Sequence, residues 1–205
     1  MKNLQALQGL CVLLTALAGA PDARAAQSVD PDWPCIQRLV PEVSAGMVWA
    51  GPPLEEQADD WRSDPEISAL AQQIAARRTP LEDAKSEVAS FAAAQGGDKD
   101  SRLTLLFAGL LESVNQERAS IIEGIRRYAR GQASLADRIQ RREDELAALP
   151  EQTSEDQRKA ILEQQYWDSR VFDERTRSLT YLCEQPVLLE QRLFALSREI
   201  MGYLD

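Results

Sequence analysis

Apolar residues in this chain recur at helical spacings, and the spacing changes partway along. Ile67, Leu70, Ala71 and Ile74 lie three and four apart, which places them on one buried helical face. Asp64-Pro65 stands in front of them, supplying an N-cap and a proline at the first helical position. The pattern predicts a helix over 65–77. A second stripe, Leu81, Ala84, Val88 and Phe91, follows Thr79-Pro80-Leu81-Glu82, where Thr79 and Glu82 are spaced for a capping box. It predicts a helix over 80–95, ended by Gly96-Gly97.

From Leu103 the apolar positions continue through Leu106, Leu110, Val114, Ile121, Ile125, Tyr128, Leu135, Ile139 and Leu146 without a proline. Steps of eleven and then of seven are the repeat of a long helix with a seam. One helix is predicted over 100–149, capped by Asp100 or Ser101. Asp98-Lys99-Asp100-Ser101 lacks the glycine and glutamate of a calcium loop, so a cap is the better account. Gly109, Gly124 and Gly131 stand as weak points of about 1 kcal/mol each relative to alanine. Pro150 ends this helix, and Thr153-Ser154-Glu155-Asp156 starts another. Ile161, Trp167, Val171, Phe172, Leu179, Leu189, Leu193, Leu196 and Ile200 carry it to the chain's end, with Pro186 expected to kink or split it near Gln185.

A short connection makes the two long helices antiparallel neighbours. With the turn near residue 151, Leu135 faces Trp167, Tyr128 faces Phe172 or Arg175, and Ile139 faces Ile161 or Leu162. Arg126, Arg127, Arg130, Arg138, Arg141 and Arg142 then lie opposite Glu163, Asp168, Asp173 and Glu174, where ion pairs across the helices are expected. The two short helices suffice only to cover the open end. The predicted fold is all-α, a long antiparallel helical hairpin on a small four-helix base, whose coiled-coil-like arm over 126–176 extends roughly 35 to 40 Å.

Periodicity fails between 27 and 62. Pro31, Pro34, Pro41, Pro52 and Pro53 alternate there with Trp33, Ile36, Leu39, Val43, Val48 and Trp49. Proline fixes φ and restricts the residue before it, while the apolar side chains need cover. A proline-rich extended N-terminal strap lying in a groove between helices satisfies both, and residues 26–205 are taken as a single helical domain.

The first residues change the compartment. Met1-Lys2-Asn3, an apolar run from Leu10 to Ala20, and Ala23-Arg24-Ala25 are the three parts of a secretory signal peptide. The run is shorter than the roughly 20 residues of a membrane span, so cleavage about Ala25 and a periplasmic protein without stable membrane insertion are expected. Cys11 leaves with the signal, and Cys35 and Cys183 remain. In an oxidising compartment they have one intramolecular pairing, closing a loop that contributes roughly 5 kcal/mol by chain entropy.

Charge and composition then exclude partners and chemistries. The net charge of −10 becomes about −11 once Lys2, Asp22 and Arg24 are gone, which disfavours nucleic acid and anionic lipid surfaces. The chain has no histidine, which removes histidine-activated nucleophiles, histidine acid–base steps and imidazole metal sites. No phosphate-binding or nucleophile-elbow motif is present, and no cofactor or catalytic residue is assigned. The acidic pairs Glu55-Glu56 and Asp59-Asp60 are the remaining option for a carboxylate enzyme, and surface charge accounts for them.

Candidate partner-binding residues are Tyr166, Trp167, Trp33, Trp49, Arg138 and Arg141. A two-helix arm cannot bury both Tyr166 and Trp167, and exposed aromatics anchor interfaces. The strap tryptophans either dock a partner or fill the gap left by the short helices; the arginines either meet an acidic partner or form a solvated, ion-paired surface. The function expected is an exported interaction protein, an adaptor, chaperone-like clamp or accessory subunit, whose arm binds another envelope protein; self-association is compatible with it. The alternative is a carrier of a small ligand or metal between strap and base.

Overall fold

The computed structural model describes residues 30–54 and 60–205. The signal-peptide reading, and Glu55, Glu56 and Asp59, fall outside them. The elements are α1 (Ala45–Val48), a 3₁₀ turn (Asp60–Arg62), α2 (Pro65–Ala75), α3 (Leu81–Ala94), α4 (Lys99–Ala147) and α5 (Glu155–Met201). The chain is all-α: α4 and α5 form the long antiparallel hairpin, and α2 and α3 close its open end into the four-helix base.

The core sits in that base. Ile67 and Ile74 of α2, Val88 of α3, Leu103, Phe107 and Leu110 of α4, and Leu189, Leu193 and Ile200 of α5 are all fully buried in one cluster. Asp64 caps α2 by accepting from the Glu66 and Ile67 amides at 3.0 and 3.1 Å, and it also accepts from Arg102 on α4 at 2.9 Å. Arg192 of α5 donates to the Ile74 carbonyl at 2.8 Å, satisfying an acceptor in the last turn of α2.

Gly109 is a packing position rather than a weak point. A Cβ there would stand 2.9 Å from Ala71 Cβ and 2.9 Å from the Trp61 ring, neither of which is the free end of a flexible side chain. α4 therefore approaches α2 and the buried Trp61 through a missing side chain. Gly109→Ala is expected to destabilise the fold by about 1 to 3 kcal/mol, read from urea unfolding; a change within 0.5 kcal/mol would show that the contact opens freely.

Several local expectations are corrected. Thr79 does not cap α3, which starts at Leu81 with Pro80 at its N-cap and no side-chain cap bond; the Thr79 hydroxyl turns back and donates to the Gln73 carbonyl at 2.8 Å. α4 starts one residue before Asp100, with Asp98 at the N-cap and no side-chain cap bond. Asp100 instead accepts from the Asp205 amide at 3.2 Å.

α5 runs unbroken through Pro186. Proline withholds an amide and its ring disturbs the preceding turn, but Gln185 donates its side-chain amide to the Tyr181 carbonyl at 3.0 Å and Gln37 donates to the Cys183 carbonyl. The amide missing at 186 would have met the Leu182 carbonyl, and these two donors reach the carbonyls on either side of it.

The strap is less extended than its prolines suggest. It holds the helical turn α1, which buries Val48 and stacks Trp49 on Phe107 with ring centroids 4.1 Å apart and planes 6° apart. Elsewhere helix side chains satisfy its backbone. Asn115 accepts from the Val43 amide at 3.0 Å and donates to the Val43 carbonyl at 2.9 Å. Arg118 donates to the Val40 and Pro41 carbonyls at 3.0 and 3.3 Å and pairs with Glu190. Ser197 donates to the Val48 carbonyl.

Candidate functional site

The arm has almost no core of its own. Beyond Ile125 the one buried residue on α4 is Leu135, and on α5 no residue before Cys183 is buried. Polar contacts hold the helices in register instead. Tyr128 donates to the Arg175 carbonyl at 2.9 Å, with the Arg175 guanidinium 6.0 Å from its ring centre, so Tyr128 faces Arg175 as the register predicts. Gln132 reaches the Phe172 carbonyl and the Thr176 hydroxyl, both at 3.2 Å. Gln165 donates to Glu143 at 3.1 Å.

Arg138 grips Asp168 with two bonds of 2.8 and 2.7 Å, and Arg142 approaches the same carboxylate at 3.5 Å. Arg138, with Arg142 behind it, holds the Asp168 carboxyl below its ordinary value. The stabilisation that lowering confers is present above the ordinary carboxyl range and is lost as pH falls through the lowered value. Arg138 is therefore engaged in the arm, whereas Arg141 is exposed.

Three of the other arginines do not pair across the hairpin as expected. Arg126 binds Asp30 at 2.7 Å and Arg130 binds Asp32 at 2.7 Å, both acids belonging to the strap. Arg127 lies 3.9 Å from Glu123 on its own helix. The Asp30 carboxyl is lowered by the Asp32 amide that it accepts and by Arg126. The strap thus reaches past the base onto the root of the arm.

Tyr166 and Trp167 meet edge to face at 5.5 Å and are 57 % and 54 % exposed. Both are more than half exposed, so Trp167 is not enclosed in the seam at the level where the register sets it opposite Leu135. Leu162, one turn before Tyr166, and Val171, one turn after Trp167, are exposed as well. Spacing of four puts each pair on one flank of α5, giving the arm an apolar strip on either side of its seam.

The predicted strap residues separate. Trp49 packs against the core, and its indole donates to the Pro52 carbonyl at 2.8 Å. Gly51 lies under that ring, where a Cβ would come within 2.4 Å of it. Trp33 is half-buried and donates to the Gln37 carbonyl at 2.8 Å, closing a turn around Cys35. Cys35 and Cys183 are joined in the predicted disulfide, with Cα atoms 5.6 Å apart.

Sequence reasoning passed over Arg118 and Trp61. Arg118 occupies the α4 seam four residues after Val114, and a charged residue on a buried stripe is the signal that would have found it. Trp61 is buried and donates to Glu112 at 3.1 Å.

Among the described residues, no cluster of three histidine, cysteine, aspartate or glutamate side chains could hold a metal ion. No helix among them is long and apolar enough to cross a membrane. The chain matches no family model, no curated protein and no solved structure, so the geometry alone carries the functional reading.

Proposed function

We propose that this is an exported, periplasmic interaction protein, an adaptor, chaperone-like clamp or accessory subunit, that binds another envelope protein through its helical arm. The observation that carries the reading is the arm itself. Its α5 helix contributes no buried residue before Cys183, yet it displays Leu162, Tyr166, Trp167 and Val171 to solvent. A segment that adds little to the core and exposes paired aromatics is better suited to contact another molecule than to stabilise its own. Arg141, exposed nearby, offers a cation at the rim. The disulfide fits an oxidising compartment, and the secretory pattern of the first residues supports the same location.

The double change Tyr166→Ala with Trp167→Ala separates binding from folding. Because both residues are more than half exposed, stability is expected to move by no more than about 0.5 kcal/mol for each. Recovery of the partner from the cell envelope by the tagged, mildly crosslinked protein is expected to fall at least tenfold, as interface anchors require. A partner retained in full by the double variant would refute the arm as the binding element.

A further inference from the structure

The base carries a second exposed apolar surface. Ile36 has the greatest exposure of any large hydrophobic residue described, 105 % of its reference area. Its neighbours prevent it from folding away: Cys35 is bonded to Cys183, and Gln37 donates to the Cys183 carbonyl. Two ties to one helical position hold an isoleucine out in water, and no packing among the described residues offsets the cost of hydrating it.

Beside Ile36 runs a groove of about 590 Å³ between the strap and α5. Pro34 and Ile36 form one wall, and Leu179, Val187 and Leu188 form the other. Leu188 is itself exposed, as is Tyr181 seven residues earlier on the same side of α5. Among the described residues, Glu184 is the one charged residue in the lining. It is exposed and makes no hydrogen bond or ion pair with any described residue.

We infer that this groove docks an amphipathic helical segment of a partner protein, with leucine-sized side chains laid between Ile36 and Leu188 and a lysine or arginine set against Glu184. Length favours a helix as the occupant. The groove follows α5 from Thr176 to Gln191, about 22 Å at the helical rise, or four turns, which exceeds a small molecule. Charge selects its sign. A free carboxylate among apolar walls, on a chain of net charge −10, repels acidic segments and complements a basic one. Apolar anchors at helical spacing in a groove are an established mode of peptide recognition. The site lies roughly 25 Å along α5 from the aromatic pair of the arm and is independent of it.

The test uses the disulfide-bonded protein and three labelled synthetic peptides of about fifteen residues, long enough to span the groove. One carries leucine at four-residue intervals with lysine between, the second is its scramble, and the third has glutamate for lysine. By fluorescence anisotropy, the leucine–lysine helix is expected to bind at least tenfold more tightly than the scramble. Ile36→Asp and Leu188→Asp are each expected to weaken it at least tenfold, and Glu184→Lys to reverse the preference between the lysine and glutamate helices. The arm variant with alanine at 166 and 167 is expected to bind it unchanged. Equal binding of the scramble, indifference to Ile36→Asp or Leu188→Asp, or absence of binding would overturn the inference. Groove-dependent binding of a tetraalkylammonium ion in place of the peptide would overturn it in favour of a small-ligand pocket.

Discussion

Replacing Arg118 with alanine is expected to lower the unfolding free energy by about 3 to 5 kcal/mol, the cost of breaking a buried ion pair by removing one partner. Arg118 is 1 % exposed and stands where α4, α5 and the strap meet. Its guanidinium satisfies the Val40 and Pro41 carbonyls and the Glu190 carboxylate together. Deleting it leaves two strap carbonyls and a half-buried charge without their donor, as well as a cavity. Arg118→Met keeps much of the packing and isolates the polar loss. Glu190 retains some access to water, with 33 % of its side chain exposed, so Glu190→Gln is expected to cost less than either change at 118. Urea unfolding monitored by far-UV circular dichroism measures all three. A loss below about 1 kcal/mol for Arg118→Ala would mean that the strap is held without it, because unsatisfied buried groups alone cost that much.

The same residue shows where sequence reasoning stops. The long helices, their hairpin and the base were legible because each rests on a local period: Val114 and Leu110 are buried on the face their spacing assigns. The disulfide was legible because only two cysteines follow the signal-like segment. Arg118 was not, since a charge on a buried stripe is tolerated only if distant groups meet it, and those groups come from the strap and α5. Pro186 is a second case. Its turn continues unbroken and takes a donor at the Cys183 carbonyl from Gln37, 146 residues away, which no local rule could supply. Gly109 is a third, because its role depends on Trp61 and Ala71 arriving from other segments. Thr79 differs in kind: its hydroxyl had two nearby places to bond, the start of α3 and the end of α2, and it took the second.

For the candidate site, the sequence located the aromatic pair but assigned Trp167 to the seam. The arm is stitched by polar side chains, among them Gln132, Gln165, Arg138 and Asp168. Apolar residues are therefore not obliged to enter the seam, and hydrophobic periodicity loses its authority there. Ile36 escaped notice for the opposite reason. In the strap it resembles any other apolar residue that needs cover, and only the fixed positions of Cys35 and Gln37 on either side show that it has none among the described residues.

Those fixed positions make the disulfide the second large term in stability. The paired change Cys35→Ser with Cys183→Ser is expected to lower the unfolding free energy by about 2 to 5 kcal/mol, as removal of a native disulfide does. The bond joins residues 148 apart in sequence, so it restricts most of the unfolded chain and little of the folded one. The folded strap keeps its other ties, at Asn115, Arg118, Ser197, Arg126 and Arg130. The helical circular dichroism spectrum is therefore expected to remain while the melting temperature falls by roughly 2 to 4 °C for each kcal/mol lost. Hydrogen exchange locates the change. The Val43 amide, bonded to Asn115, is expected to stay protected relative to an exposed amide, and faster exchange is expected mainly around residues 33–39, where Cys35 is the covalent anchor. Loss of protection along the whole strap would show that the side-chain ties depend on the bond, and an unchanged melting temperature would show that the unfolded chain is not restricted by it.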